Sequence, residues 1–366
     1  MLKYAYFMHT NMAMRKPDTS EGFAPRVDVG EALALPANNC LRLDGRLDAG
    51  LLSPSLHQIL LGMARLHNVV SSLRIEGEVI ALDEARRVLD SQRASTPTER
   101  GALQLSKAYS DLARNRFPEF SVGGFQDAHR ALFHDVLEDG IAGVLKTEQN
   151  VLLEGRTLRE KFVPTPPERT ERELRSLLEW LDASAFSLPA PVTAAVFFAE
   201  FQAIHPFVDG NGRLGRYLNV ALLKKLGLRN APLVPLDTRF FRSQHHYYEM
   251  LGTTNSGRDY HHWTRYFVKQ AEAAYELAVS RADLRPVVER FRSNAARSVL
   301  GWVLAGDGGW FRRGDFPNPK RYSAPALTNA LRELTRANVL EAEGELKGRR
   351  YRLRSKFLAD VYGRDL

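Results

Sequence analysis

Four side chains within twelve residues carry the chemistry of this sequence: His205, Asp209, Arg213 and Arg216, in the run His205-Pro206-Phe207-Val208-Asp209-Gly210-Asn211-Gly212-Arg213-Leu214-Gly215-Arg216. An imidazole titrates near neutrality and can take a proton from a hydroxyl. A carboxylate is a hard oxygen ligand that can share Mg2+ with substrate phosphates. Gly210 and Gly212 flank an amide and let consecutive N–H groups turn inward as an anion nest. Arg213 and Arg216 lie three apart, where two guanidinium forks on one helix face can grip phosphate or carboxylate. An isolated Asp-Gly-Asn-Gly is an ordinary turn and a lone His before Pro an ordinary cap; the fixed spacing of the whole set reads as a phosphate site with its own base.

Two helices must hold that run. Upstream, Pro191 to Phe201 opens with a helix-starting proline and is apolar nearly all round, as a buried central helix would be. Downstream, Leu214, Leu218, Ala221 and Leu222 recur at helical spacing until Lys224, Lys225 and Gly227. The run is therefore a helix-loop-helix joint, and the second helix presents free N–H groups and its positive end to an anion.

The run resembles the signature of the Fic (Fido) family, His-x-Phe-x-Asp/Glu-Gly-Asn-Gly-Arg-x-x-Arg, at every specified position. The resemblance implies a largely helical core and transfer of AMP from ATP to a hydroxyl side chain of a protein. It implies that His205 deprotonates the target hydroxyl and Asp209 holds Mg2+. Gly210, Asn211, Gly212 and Arg213, with Leu214, Gly215 and Arg216, would bind the nucleotide, and Phe207 would anchor the loop in the core.

Three other stretches match the same family. Ser72-Leu73-Arg74-Ile75-Glu76-Gly77 follows a helix starting at Ser53-Pro54; by itself it is a helix ending at a glycine. It resembles the inhibitory sequence Ser/Thr-x-x-x-Glu-Gly/Asn, which implies that Glu76 pairs with Arg216 and keeps the ATP γ-phosphate from its productive position. Between Lys146 and Pro167 apolar and polar residues alternate around Gly155, as in a short hairpin. Its place is that of the family's flap, assigned to Val151, Leu152, Leu153 and Glu154, which docks a target by strand addition. Tyr247, Tyr248 and Asn255 match a Tyr-Tyr…Asn pattern of the base and ribose pocket; as residues alone they are also an aromatic core stripe.

Helices are further expected around Leu82–Leu89, Leu103–Leu112, Phe125–Leu137 and Leu174–Leu181, with 90–98 a loop and the residues up to Pro36 an extended or partly ordered arm. His129 and His134 read as packing or surface residues, and the pairs His245-His246 and His261-His262 lack the partners of a zinc motif. After Pro286 a helix through Val288, Phe291, Ala295 and Val299, a Gly break, a helix capped by Ser323 and a basic hairpin resemble a winged helix-turn-helix. Arg332, Arg336, Lys347, Arg349, Arg350 and Arg352 would be its DNA-facing charges, diluted by Glu333, Glu341, Glu343 and Glu345.

The 366 residues, 44% hydrophobic and 26% charged, suit a folded protein of two or three domains. The expected organisation is a mainly α protein: an arm (1–34), an N-terminal helical region with the inhibitory motif (35–100), a Fic core with its β-hairpin flap (101–279) and a winged-helix-like domain (286–366). One cysteine, Cys40, excludes an internal disulfide, and the sequence has neither a signal h-region nor a membrane-length apolar run, so a cytoplasmic protein is expected. The net charge of +8 is open to a nucleic-acid or acidic-protein partner, or to a solvated basic surface.

The function read here is a protein adenylyltransferase using ATP and Mg2+ on Tyr, Thr or Ser of a target protein, self-modification included. Removal of AMP and transfer of another nucleotide remain alternatives within the same site. A different class is a regulator whose C-terminal module binds DNA or a partner. Homodimerisation is compatible with each.

Overall fold

The computed structural model describes residues 14–19, 21–48, 52–153, 160–184, 187–256, 259–306, 309–317, 320–345 and 348–354. Mainly α-helical, it is built from α1 (Glu31–Arg46), α2 (Pro54–Ile75), α3 (Leu82–Ser91), α4 (Pro97–Ala113), α5 (Val122–Phe133), α6 (Pro167–Ser184), α7 (Ala190–Ile204), α8 (Asn211–Lys225), α9 (Leu236–Arg242), α10 (Gln244–Gly252) and α11 (His261–Ala282), followed by a C-terminal module. The central pair is α7 packed on α8, with α11 and α6 against α7 and with α2 and α4 against α8. Every residue of α7 is buried, as its unbroken apolar sequence requires. The hydrophobic core is one cluster running from Phe23 to Leu353. No helix among the described residues is long and apolar enough to cross a membrane.

The N-terminal stretch departs from the expected arm. Helix α1 begins at Glu31 and passes through Pro36, because Leu33, Ala37, Cys40 and Leu43 bury a stripe at helical spacing that outweighs one missing backbone hydrogen bond. Before it, β1 (Met14–Arg15) runs parallel to β3 (Glu160–Val163), and β2 (Leu152–Leu153) is antiparallel on the other side. The expected hairpin is thus the larger part of a three-stranded sheet; Gly155 and Glu154 lie outside the described residues. Lys16 fastens the sheet to the core: its Nζ lies 2.5 Å from Glu173 of α6 and 2.7 Å from Glu200 of α7, with all three side chains buried.

Two boundaries differ through capping. Thr96 and Glu99 form a reciprocal capping box, so α4 starts at Pro97 inside the expected loop, while α5 stops at Phe133 short of Leu137. The expected helix from Val288 to Val299 is two, α12 (Arg285–Glu289) and α13 (Asn294–Leu304), because the Ser293 hydroxyl accepts from Ala296 N at 3.2 Å and restarts the chain.

The C-terminal module continues with β4 (Phe311–Arg312), α14 (Ala324–Arg336), capped by Ser323, and the antiparallel pair β5 (Leu340–Glu343) and β6 (Arg350–Leu353), in sheet order β4-β6-β5. Leu327, Ala330, Leu331 and Leu334 face inward from α14. Arg350 pairs with Glu343 and Arg352 with Glu341 across the hairpin, so two of the expected DNA-facing charges are neutralised within it. Lys347 lies outside the described residues.

Replacing Lys16 by Met leaves two buried carboxylates facing each other without their cation. Urea denaturation should show a loss of about 3–5 kcal/mol. Arg46→Ala, which removes an exposed pair with Asp283, should cost under about 1 kcal/mol. Equal losses for the two would contradict the anchoring of the N-terminal strand by Lys16.

Candidate active site

The loop between α7 and α8 is held by polar side chains turned inward. Helix α7 ends at Ile204, and His205 takes a left-handed conformation (φ 51°), reversing the chain. Asn211, buried, accepts from Phe207 N (2.9 Å) and donates to Phe207 O (2.7 Å), closing the loop on itself. Asn150 donates to His205 O (3.3 Å) and Phe207 O (3.0 Å). Buried Lys146 donates through Nζ to Ile204 O (3.0 Å) and through its backbone N–H to Pro206 O (2.9 Å). His129, fully buried, stacks on Phe207 at 3.9 Å; its Nε2–H donates to Asp209 O and its Nδ1 accepts from Gly143 N, both at 2.9 Å. Every loop carbonyl so engaged is a carbonyl that cannot swing, so the side chains of His205 and Asp209 leave from a fixed frame.

His205 keeps one ring nitrogen open. Its Nδ1 lies 3.2 Å from Gln202 O, which requires the proton on Nδ1 and leaves the Nε2 lone pair open. Burial, with Lys146 nearby, pushes its pKa down to about 4, so the ring is neutral at physiological pH. Beside it α8 opens at Asn211, where the first-turn amides have no preceding carbonyl to bond. Gly210 sits at φ 81°, and a Cβ there would come within 2.5 Å of Phe133, so only glycine makes this entry. A Cβ on Gly212 would meet the Glu76 carboxylate at 2.0 Å.

Asp209 accepts from Gly210 N through Oδ1 and lies 3.9 Å from Arg213 through Oδ2. No group of three or more His, Cys, Asp or Glu converges anywhere among the described residues. A single carboxylate at the mouth of a phosphate cradle fits Mg2+, which takes one or two protein oxygens and the rest from phosphate and water.

Both arginines are occupied by carboxylates from one turn after α2. Arg216, buried, donates through Nε to Ser72 Oγ (2.8 Å) and through Nη2 to Ser72 O (2.9 Å) and Glu76 Oε1 (2.8 Å). Burial alone would lower its pKa, but the Glu76 carboxylate acting together with Tyr247, Asp237 and Tyr248 outweighs it and holds the guanidinium above its ordinary value. Glu78, unforeseen in the sequence, stands 2.9 Å from Arg213, which lies over the Phe133 ring. Gly77, at φ 79°, turns the chain so that Glu76 and Glu78 both reach α8. Tyr248 Oη and Gln244 Nε2 each donate to Ile75 O at 3.1 Å and fix this end of α2.

A cavity of about 750 Å3 joins these parts: His205, Asp209, Gly210, Asn211, Gly212, Arg216, Glu76, Tyr247, Tyr248, Val151 and Leu152 all line it. Four expected nucleotide residues are placed otherwise. Leu214 is in the core, and Gly215 is a close packing point against α7, where a Cβ would strike Gln202 at 2.1 Å. Arg213 is buried between Glu78 and Asp209, and the Asn211 side chain is committed to Phe207, leaving its N–H for an anion. Leu153 is in β2, Asn255 is in a short 3-10 turn (Thr253–Ser256) and the side chains of both lie outside the described residues, as does Glu154. Lys146 and Asn150 carry no signature in the sequence, where His129 reads only as a packing or surface residue.

The sequence profile of the Fic/DOC family matches residues 119–223, the span that contains His129, His205 and both arginines. The chain carries a Fic/DOC family domain. Protein adenylyltransferase fic-1 of Caenorhabditis elegans is 26% identical over 217 residues, 57% of this chain and 40% of its own length. Protein adenylyltransferase Fic of Nematostella vectensis is 30% identical over 126 residues, 34% of this chain and 28% of its own. The matched Fic region thus spans less than half the length of these curated relatives. A crystal structure of a Fic family protein from Desulfovibrio desulfuricans G20 has the same fold, with TM-score 0.63 at 20% identity over 91% of this chain and 99% of that one.

The buried histidines of the Fic domain set a pH limit. Burial lowers His129 and His205 from the ordinary 6.5 to about 4 each, so the unfolded chain binds their protons more readily than the folded one. Stability should be complete above pH 6.5 and fall as pH drops toward 4. The urea midpoint measured at pH 7.5, 6.0 and 5.0 checks this, and His129→Phe should flatten the decline. A midpoint unchanged down to pH 5.0 would contradict the buried neutral imidazoles.

Proposed function

We propose that this chain is a protein adenylyltransferase that moves AMP from ATP to a hydroxyl side chain of a target protein and is restrained by Glu76. The carrying observation is that the open Nε2 of His205, the amide cradle at the start of α8 and the Glu76-occupied Arg216 face one cavity. The curated names of the relatives from Caenorhabditis elegans and Nematostella vectensis support the same reading.

In the reaction, the target hydroxyl approaches His205, and its proton passes to Nε2 as its oxygen bonds to the α-phosphorus. The bond from that phosphorus to the bridging oxygen breaks, and pyrophosphate leaves with the electron pair. The first amides of α8 bind phosphate oxygens, and Tyr247 and Tyr248 wall the nucleotide side of the cavity. Asp209 would hold Mg2+, which neutralises phosphate charge when bound. Val151 and Leu152 of the flap sheet border the target's approach. With β3 paired on both sides, a target strand would add at an outer edge of the sheet, and the outer edge of β2 is the one beside Val151 and Leu152.

Restraint follows from charge. A γ-phosphate needs a free guanidinium, and Arg216 already has Glu76 and Ser72 as partners. Glu78 on Arg213 adds a second carboxylate where the incoming ligand is anionic, so it opposes phosphate entry in the same sense as Glu76.

The order helix, strand, helix and hairpin supports a winged-helix reading of the C-terminal module. Its internally paired wing favours a protein-docking role over DNA, and retention on DNA that falls steeply with salt would overturn that preference. One buried cysteine fits a reducing compartment, and we place the protein in the cytoplasm.

Incubation with Mg2+ and ATP labelled at the α-phosphate, read by mass spectrometry, tests the reading. Glu76→Gly should label itself or a target at Tyr, Thr or Ser, well above the parent. Adding Glu78→Gln should raise labelling further. Adding His205→Ala to Glu76→Gly should cut it by about a hundredfold or more. Equal labelling by parent and Glu76→Gly would overturn the restraint, and labelling that survives loss of His205 would overturn its role as base.

A further inference from the structure

A second cavity, of about 690 Å3, lies between α2, α3 and α13 and shares no lining residue with the first. Its walls are apolar, with Ile59, Leu89, Trp302 and Phe316 facing in, and its volume is that of a small-molecule site. Its charges are unequal: Arg65, Arg86, Arg297 and Lys320 line it against one carboxylate, Asp90.

Two details suggest that the space is for a ligand. Arg65 spends Nη1 on Ser110 Oγ (2.7 Å), but its buried Nε has no hydrogen-bond partner among the described residues. A buried guanidinium N–H without an acceptor costs free energy that an anionic oxygen would recover. Burial pulls this guanidinium below its ordinary pKa, with Asp90 compensating only in part. The second detail is Gly62, in the middle of α2. Its φ is not positive, and a Cβ built there meets nothing within 4 Å. Neither backbone nor packing calls for glycine, which weakens a helix by about 1 kcal/mol against alanine. What the missing side chain leaves is the floor of the cavity. Above it Arg86, buried, lies over the Trp302 ring at 4.9 Å, joining cationic and aromatic surface.

We propose that this cavity binds a small aromatic carboxylate, its ring between Trp302 and the aliphatic wall and its carboxylate on Arg65. The occupant would touch α2, the helix whose far end carries Ser72 and Glu76, so it sits where a bound compound can bear on the restraint.

Calorimetric titration of the full chain with 1-naphthoate and with its neutral isostere 1-naphthamide tests the site without any assumption about AMP transfer. The acid should bind once per chain and the amide at least tenfold more weakly, about 1.4 kcal/mol. Gly62→Leu should abolish binding with a melting temperature at or above the parent's. Arg65→Gln should weaken the acid at least tenfold and leave the amide unchanged. No binding of 1-naphthoate by the parent, equal binding of acid and amide, or undiminished binding in Gly62→Leu would each overturn the proposal; the last would place the anion elsewhere, the nucleotide cavity included.

Discussion

The charge of Arg216 has to be satisfied inside the protein, and much of the site is arranged around that need. A guanidinium this deeply buried is tolerated only with hydrogen-bonding partners on most of its N–H groups. Those partners come from Ser72 and Glu76 at the end of α2, which binds α2 to α8 across a long stretch of chain. Gly212 lets the carboxylate approach, and Tyr248 and Gln244 hold the last carbonyl of α2 in place. The same contact therefore supplies packing order and fills the position an anionic ligand needs. Only another anion can replace Glu76 without leaving Arg216 bare, and a phosphate is such an anion.

The loop between α7 and α8 follows the opposite strategy from a mobile surface loop. Its backbone carbonyls are taken up by the side chains of Lys146, Asn150, Asn211 and His129. This uses buried polar groups to fix geometry, and each group is matched by a partner. The neutral state of His129 and the open nitrogen of His205 are consequences of that matching: one ring is both donor and acceptor within the protein, the other donates inward and leaves its second nitrogen open.

Periphery and centre are joined by two further connections. Lys16, between Glu173 and Glu200, ties the strand beside the flap to α7, the helix that ends at His205. On the far side α13 packs on α2, the helix that Glu76 caps, so the C-terminal module and the Glu76–Arg216 pair are joined through one helix. The pairs Arg350–Glu343 and Arg352–Glu341 show why a count of basic residues overstates a nucleic-acid surface: charges on facing strands cancel before any partner is met.

By itself the sequence determined what is local. The run from His205 to Arg216 names its imidazole, its carboxylate and its glycines because they lie within one loop and one helical turn, where backbone geometry alone brings them together. The two flanking helices were legible for the same reason, as were Glu76, through the turn it shares with Gly77, and the helix after Ser323. What only the tertiary structure decided is what meets across the chain. Glu78 finds Arg213, Lys16 finds Glu173 and Glu200, and His129 finds Asp209 because helices pack, and no short-range periodicity encodes those meetings. It also decided which members of the signature are taken up by packing: Leu214 and Gly215 share the motif with Gly212, yet Leu214 is in the core and Gly215 packs closely on Gln202 of α7.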